Sequence, residues 1–248
     1  MVLSLYFIGL STALCGTIDP DTPDSRYIEF GKQFHYVGKI HGTSNDSHNY
    51  QGSCVAHDSN IVITAAHILE EAKDAFVDIN NRTIKITNWI IHPKYNKKDY
   101  GPYDIAIGIT ESSMGLEWYP DLYINNDESN KVCSLSGYGM TGTFSTMPHK
   151  YDSNRRAGSN VIDGITNEML YCSPSVSYSK TPLEFLTASG DSGGGLFIGN
   201  KLAGIHSTVI RPAAQSVKTE YSTISTHTRI SLHHEWIKNN MKELNNAK

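Results

Sequence analysis

A serine hydroxyl becomes a useful nucleophile only with a base beside it, and acyl transfer also needs donors aimed at the developing alkoxide. Gly190-Asp191-Ser192-Gly193-Gly194-Gly195 offers such a hydroxyl on a turn whose glycines permit unusual backbone angles and close approach. Taken alone, the hexapeptide reads equally well as a flexible turn. Two other segments decide between these. His67 ends the apolar run Asn60-Ile61-Val62-Ile63-Thr64-Ala65-Ala66 and can serve as general base. Asp104 heads Ile105-Ala106-Ile107-Gly108-Ile109, which reads as a buried strand. A carboxylate there is poorly hydrated and needs a hydrogen-bonding partner, which an imidazole supplies.

In the chain order His67, Asp104, Ser192, the motifs Thr64-Ala65-Ala66-His67, Asp104-Ile105-Ala106 and Gly190-Asp191-Ser192-Gly193-Gly194 resemble the chymotrypsin/trypsin-like serine protease family, peptidase S1 type. Phe34 to Ile40 resembles the family's first barrel strand, and Ser136-Gly137-Tyr138-Gly139 the opening of its second barrel. Thr228-Arg229-Ile230-Ser231 with Glu235-Trp236-Ile237 resembles its last strand and closing helix, so coverage runs roughly from residue 27 to 240. The resemblance implies an all-β fold of two packed six-stranded antiparallel Greek-key barrels with a C-terminal helix. It implies a secreted, extracellular serine endopeptidase without cofactor or metal. His67 would take the Ser192 proton, Asp104 would orient the imidazole, and the amides of Gly190 and Ser192 would hold the oxyanion. Protein or peptide substrates, protein inhibitors and a monomeric state follow from the same likeness. The competing class is a catalytically inactive protease-like binding or regulatory protein, against which the intact trio argues.

Counting back from Ser192 by the family pattern puts Leu186 at the base of the primary pocket, where trypsins carry an aspartate, so Arg/Lys specificity is not expected. The downstream wall is Gly204-Ile205-His206-Ser207-Thr208-Val209, with Ser207 and Val209 facing substrate; its histidine resembles that of glutamyl endopeptidases and exfoliative toxins. His206, with His227 on the last strand and a hydroxyl from Ser189, could receive an acidic side chain. A core His206 beside a pocket for apolar side chains is the alternative. In this family the aspartate before the nucleophile is neutralised by a new α-amino group, which makes Asp191 the activation partner. The usual Ile-Val-Gly-Gly is absent, and Arg26 followed by Tyr27 is the candidate cleavage point.

The elements that must hold these residues read mostly as strands: Ile84 to Thr87 and Lys131 to Leu135 alternate, and Leu196 to Ile198 turns at Gly199-Asn200 into Leu202 to Ile205. Helix is expected shortly after His67 and over Ser231 to Leu244, where Leu232, Trp236, Ile237, Met241 and Leu244 share a face. Residues 1–16 read as a signal peptide, 17–26 as a propeptide and 27–248 as the protease domain. The 248 residues, 39% of them hydrophobic, suffice for a sizeable core. A net charge of −4 argues against nucleic-acid or anionic-membrane partners, and no stretch after the leader could span a bilayer. Arg155-Arg156 reads as solvated loop charge or a nick site. Of the 4 cysteines, Cys15 leaves with the leader. Cys54 and Cys133 lack their familial mates, because Ile68 and Ile198 stand there, and no pairing of Cys54, Cys133 and Cys172 is assigned. Eleven histidines without a His-Glu-x-x-His or Cys-x-x-Cys give no metal motif.

Overall fold

The computed structural model describes residues 16–146, 150–175, 180–210 and 221–246. The expected leader therefore lies, but for Gly16, outside the described residues. Strand β1 (Gly16–Ile18) is followed by helix α1 (Asp24–Gly31) and then β2 (Val37–Thr43), β3 (Asn49–Asp58) and β4 (Ile61–Thr64). The single turn α2 (Ala66–Leu69) carries His67, before β5 (Ala75–Ile79), β6 (Arg82–Ile91) and β7 (Ala106–Thr110). The second half holds β8 (Val132–Gly137), β9 (Thr141–Thr143), β10 (Arg156–Val161), β11 (Gly164–Thr166), β12 (Met169–Cys172) and β13 (Phe185–Leu186). It ends with β14 (Gly195–Ile198), β15 (Lys201–Ile210), β16 (Ile224–Arg229) and helix α3 (Ile230–Asn246).

Strands β2-β3-β4-β7-β6-β5 close into a barrel. Its interior holds Val37, Ile40, Val55, Ile63, Val77, Ile84, Ile86 and Ile107, all at most 1% exposed. Every residue of β4 and β7 is buried, which explains why both read as unbroken apolar runs rather than as alternation. The second half is a seven-stranded sheet in the order β10-β8-β14-β15-β16-β12-β11, alongside a small sheet β13-β1-β9. Its ladder does not close into a ring as the first one does. It is nonetheless rolled up: β8 and β12 stand four strand spacings apart, about 19 Å in a flat sheet, yet Cys133 Sγ and Cys172 Sγ are 3.9 Å apart. Asn160 of β10 helps hold the seam by donating to the carbonyls of Ser173 at 3.3 Å and Phe185 at 3.0 Å. Inside the roll lie Leu135, Phe144, Leu170, Phe185, Leu186 and Leu196.

Within the expected propeptide, β1 pairs with β13 and β9, and Ile18 joins the second core. Three expectations change. Arg156 is neither loop charge nor nick site. It sits in β10, 3% exposed, with its guanidinium bonded to the carboxylates of Asp24 (2.6 and 2.7 Å) and Asp152 (2.9 and 2.7 Å). On α3, Ile230, Ile237 and Leu244 are buried, whereas Leu232 is 43% exposed because the helix turns it to solvent. Leu186 packs into the second core rather than facing a pocket. Among the described residues no helix is long and apolar enough to cross a membrane.

Candidate active site

His67 is delivered by the turn that follows β4, and Asp104 by the segment entering β7; since β4 and β7 pair directly, the two meet. Asp104 is fully buried and His67 keeps 18% of its side-chain surface. His67 Nδ1 lies 2.8 Å from Asp104 Oδ2, and the His67 amide donates to Oδ1 at 3.0 Å. Ser207 Oγ donates to the same Oδ2 at 2.6 Å, and Thr228 Oγ1 to the Asp104 carbonyl at 2.9 Å. A buried carboxylate is tolerable only when its lone pairs are used in this way. The Tyr100 ring meets the imidazole edge-on, centroids 5.2 Å apart.

The Ser192 loop joins β13 to β14 and is pressed against the first barrel, with Ser53 N donating to Ser192 O at 2.8 Å. Gly190 and Gly193 take φ of +88° and +84°. At Gly193 a β-carbon would stand 2.1 Å from Thr64 Oγ1 and 2.2 Å from Ser53 O, so only glycine fits. Gly193 and Gly194 spend their amides on the carbonyls of His206 and Asp191, both at 2.8 Å. His67, Ser192, Gly190, Ser189, His206 and Ser207 line one cleft of about 340 Å³, with Thr187, Ala188 and Val209 on its wall. A larger groove of about 740 Å³ between His35, Arg82 and Arg155 contains none of them.

His206 and His227 form the wall's buried layer, their Nδ1 atoms 3.0 Å apart and His227 Nε2 3.2 Å from Ser225 Oγ. Burial holds His227 down to about 3, and burial with the neighbouring imidazole holds His206 well below its usual value, so both are neutral. His206 Nε2 is buried without a hydrogen bond of good geometry; the Ser136 carbonyl approaches it. Leu186 and His227 do not face the cleft themselves. Sequence reasoning passed over Thr187, which lines it, because a count from the nucleophile does not show where the chain turns inward.

Asp191 is turned away from the cleft. Gly139 N donates to Oδ1 at 2.8 Å and Ala188 N to Oδ2 at 3.0 Å. Burial pushes its carboxyl up to about 7, against the opposing pull of those amides, of Arg156 and of the Gly16 amide. Gly16, Gly137 and Gly139 form its cradle: a β-carbon on them would stand 2.9, 2.3 and 2.5 Å from a carboxylate oxygen. Gly16, not Tyr27, is thus the residue at Asp191. The Arg26–Tyr27 bond lies within α1, and Tyr27 is wholly buried with its hydroxyl bonded to the Glu184 carbonyl at 3.1 Å. Among the described residues no group of three or more His, Cys, Asp or Glu side chains could hold a metal ion.

A closed six-stranded barrel and a rolled second sheet, with His67 from the first and Ser192 from the second lining one cleft and Asp104 buried behind the imidazole, define a class: the two-lobed serine protease fold. The family model for trypsin matches residues 30–237, and the chain belongs to that family. Solved structures agree on the fold. A structure titled HL collagenase superposes with a TM-score of 0.67 at 19% identity, covering 84% of this chain and 94% of that one. Neuropsin, described as a serine protease expressed in the limbic system of mouse brain, gives 0.65 at 20% identity over 84% and 95%. GrC gives 0.60 at 15% over 84% and 95%. No curated protein sequence matches the chain.

Proposed function

We propose that the chain is a secreted serine endopeptidase acting through His67, Asp104 and Ser192. The observation that carries this reading is the buried Asp104 carboxylate held by His67 Nδ1, His67 N and Ser207 Oγ. An ionised carboxylate only accepts, so Nδ1 carries the imidazole proton and Nε2 remains a base. Ser192 Oγ attacks the scissile carbonyl carbon as its proton passes to His67 Nε2, and the amides of Gly190 and Ser192 receive the oxyanion. His67 then gives that proton to the departing amine, and water, activated by the same nitrogen, releases the acyl group.

No carboxylate lines the described cleft, which disfavours Arg or Lys before the cut. An acidic side chain suits the Ser189 hydroxyl and His206, which lines the same wall. Ile68, Ala188 and Val209 on the same walls favour an apolar one. Activation follows from the Asp191 cradle: removal of residues 1–15, a cut one residue before the end of the expected leader, turns the Gly16 amide into an ammonium beside a buried carboxylate, so that cut also organises the oxyanion loop. This reading makes Gly16 the first residue of the active protein.

A peptide library varied at the residue before the cut, incubated with the chain beginning at Gly16 and with its Ser192→Ala variant, tests all three parts. Cleavage after Glu or Asp, absent from the variant, supports the acidic pocket. Cleavage after Leu, Phe or Tyr keeps the enzyme and removes that pocket. Silence, together with no labelling of Ser192 by a covalent serine-hydrolase probe, replaces the enzyme with a protease-like binding protein.

A further inference from the structure

Three cysteines lie among the described residues, and all are buried. Cys54 faces the Gly38 carbonyl at 3.7 Å and meets no other thiol there. Cys133 on β8 and Cys172 on β12 are different: their sulfurs are 3.9 Å apart across the interior of the second roll, from positions that three intervening strands separate in the ladder. β14 pairs with β8 through Phe197 and Ser134, and the adjoining Ile198 offers Cys133 no sulfur there. The thiol directed at Cys133 is Cys172.

We propose that Cys133 and Cys172 form a disulfide that closes the second lobe where its ladder is open. The bond requires the sulfurs to approach to about 2.05 Å, an adjustment of side-chain torsion and small strand movement. Its chemistry is thiol–disulfide exchange with a disulfide oxidant of the secretory compartment, a dithiol oxidoreductase or oxidised glutathione. One cysteine thiolate attacks the oxidant's S–S bond and forms a mixed disulfide. The second displaces the oxidant's remaining sulfur. Two thiols leave with the two electrons, and the cysteine protons are released to water or to those leaving thiolates.

The hydrogen bond shared with Cys133 and complete burial both push the Cys172 thiol well up, so Cys172 is protonated and unreactive once the lobe is packed. The bond therefore forms during folding, before Leu135, Leu170 and Leu196 enclose it. It spans 39 positions of chain and staples β8 to β12 around β14, the strand that opens directly behind the Ser192 loop. Only the source of oxidant rests on the secretion reading; the juxtaposition does not.

The test is a thiol map of the full chain expressed through a secretory pathway, denatured in alkylating reagent without reductant and digested. The expected result is a linked pair of peptides carrying Cys133 and Cys172, with Cys54 alkylated. In Cys133→Ser the link is absent and Cys172 is alkylated, and Cys172→Ser gives the reciprocal pattern. The same map on chain refolded in a glutathione redox buffer separates the inference from the secretion reading, because a link appears there wherever the protein is made. Alkylation of Cys133, Cys172 and Cys54 alike in the refolded chain overturns the proposal, as does a link from either residue to Cys54. Reductant is expected to lower the unfolding midpoint of the linked protein and to leave that of Cys133→Ser unchanged.

Discussion

The chemistry-bearing side chains were legible one by one because each sits in a short segment whose composition has a local physical reason. Asp104 stands at the head of a run that is buried throughout, and its lone pairs are taken by His67 and Ser207. Ser207 was read as a substrate-facing residue; its bond to Asp104 depends on the pairing of β15 with β16 and of β4 with β7, which no local pattern reveals. Asp104→Asn should leave the fold intact and lower turnover by roughly 10⁴-fold, because a neutral amide favours the wrong imidazole tautomer. Steady-state rates on the preferred peptide, with circular dichroism as the folding control, check this; a loss below about tenfold would remove Asp104 from its orienting role. Ser207→Ala should cost about 1.5–3 kcal/mol in stability, since a buried ion loses one of its donors. Denaturant unfolding measures it, and an unchanged midpoint would mean that another group replaces the hydroxyl.

Strands were easier to read than the elements that lock them together. β4, β7 and the β14–β15 hairpin match their sequence patterns, and Gly199, with φ +58°, makes the expected turn. Helix α1 was missed, although Pro23 and Asp24 at its start and the buried pair Tyr27 and Gly31 are its signals. A polar, proline-broken preface masked an eight-residue helix whose stability comes from packing on β10 rather than from its own propensity. Arg156 is the lock: with 4% of its side chain exposed, it ties Asp24 of α1 to Asp152. Arg156→Gln should cost about 2–3 kcal/mol, below the full price of a broken buried pair because Asp24 is 40% exposed and partly screened. Proteolysis should then open the chain between β1 and β2 first, and uniform protection of that segment would show that α1 holds without the ion pair. Gly193→Ala, by contrast, forces a β-carbon into Thr64 and Ser53 and should abolish activity even where the protein folds.

At the scale of the whole molecule, the family fold was readable from its motifs, but the incorporation of the amino-terminal segment was not, because β1 is only three residues long and takes its partners from β9 and β13 far along the chain. That incorporation joins the start of the chain to the acid stability of the protein. While Gly16 is an internal amide, Asp191 has a carboxyl pushed up to about 7 by burial. The folded state then holds a proton that the unfolded state releases near 4, so stability falls as pH rises from about 4 to about 7 and is level above. The shift corresponds to a loss on the order of 4 kcal/mol. His206 and His227 act in the opposite sense: their depressed values contribute stability that is complete above about 6.5 and lost as pH falls, His227's share until about 3. Both chains share these histidines, so subtracting one curve from the other isolates Asp191. A chain beginning at Gly16 brings an ammonium to the carboxylate and should exceed the chain retaining residues 1–15 by several kcal/mol at about pH 7.5, with the gap narrowing toward about pH 4. Denaturant unfolding of both chains across that range provides the curves. Parallel curves would mean that the Gly16 amine does not reach Asp191, and the active protein would then need a different first residue.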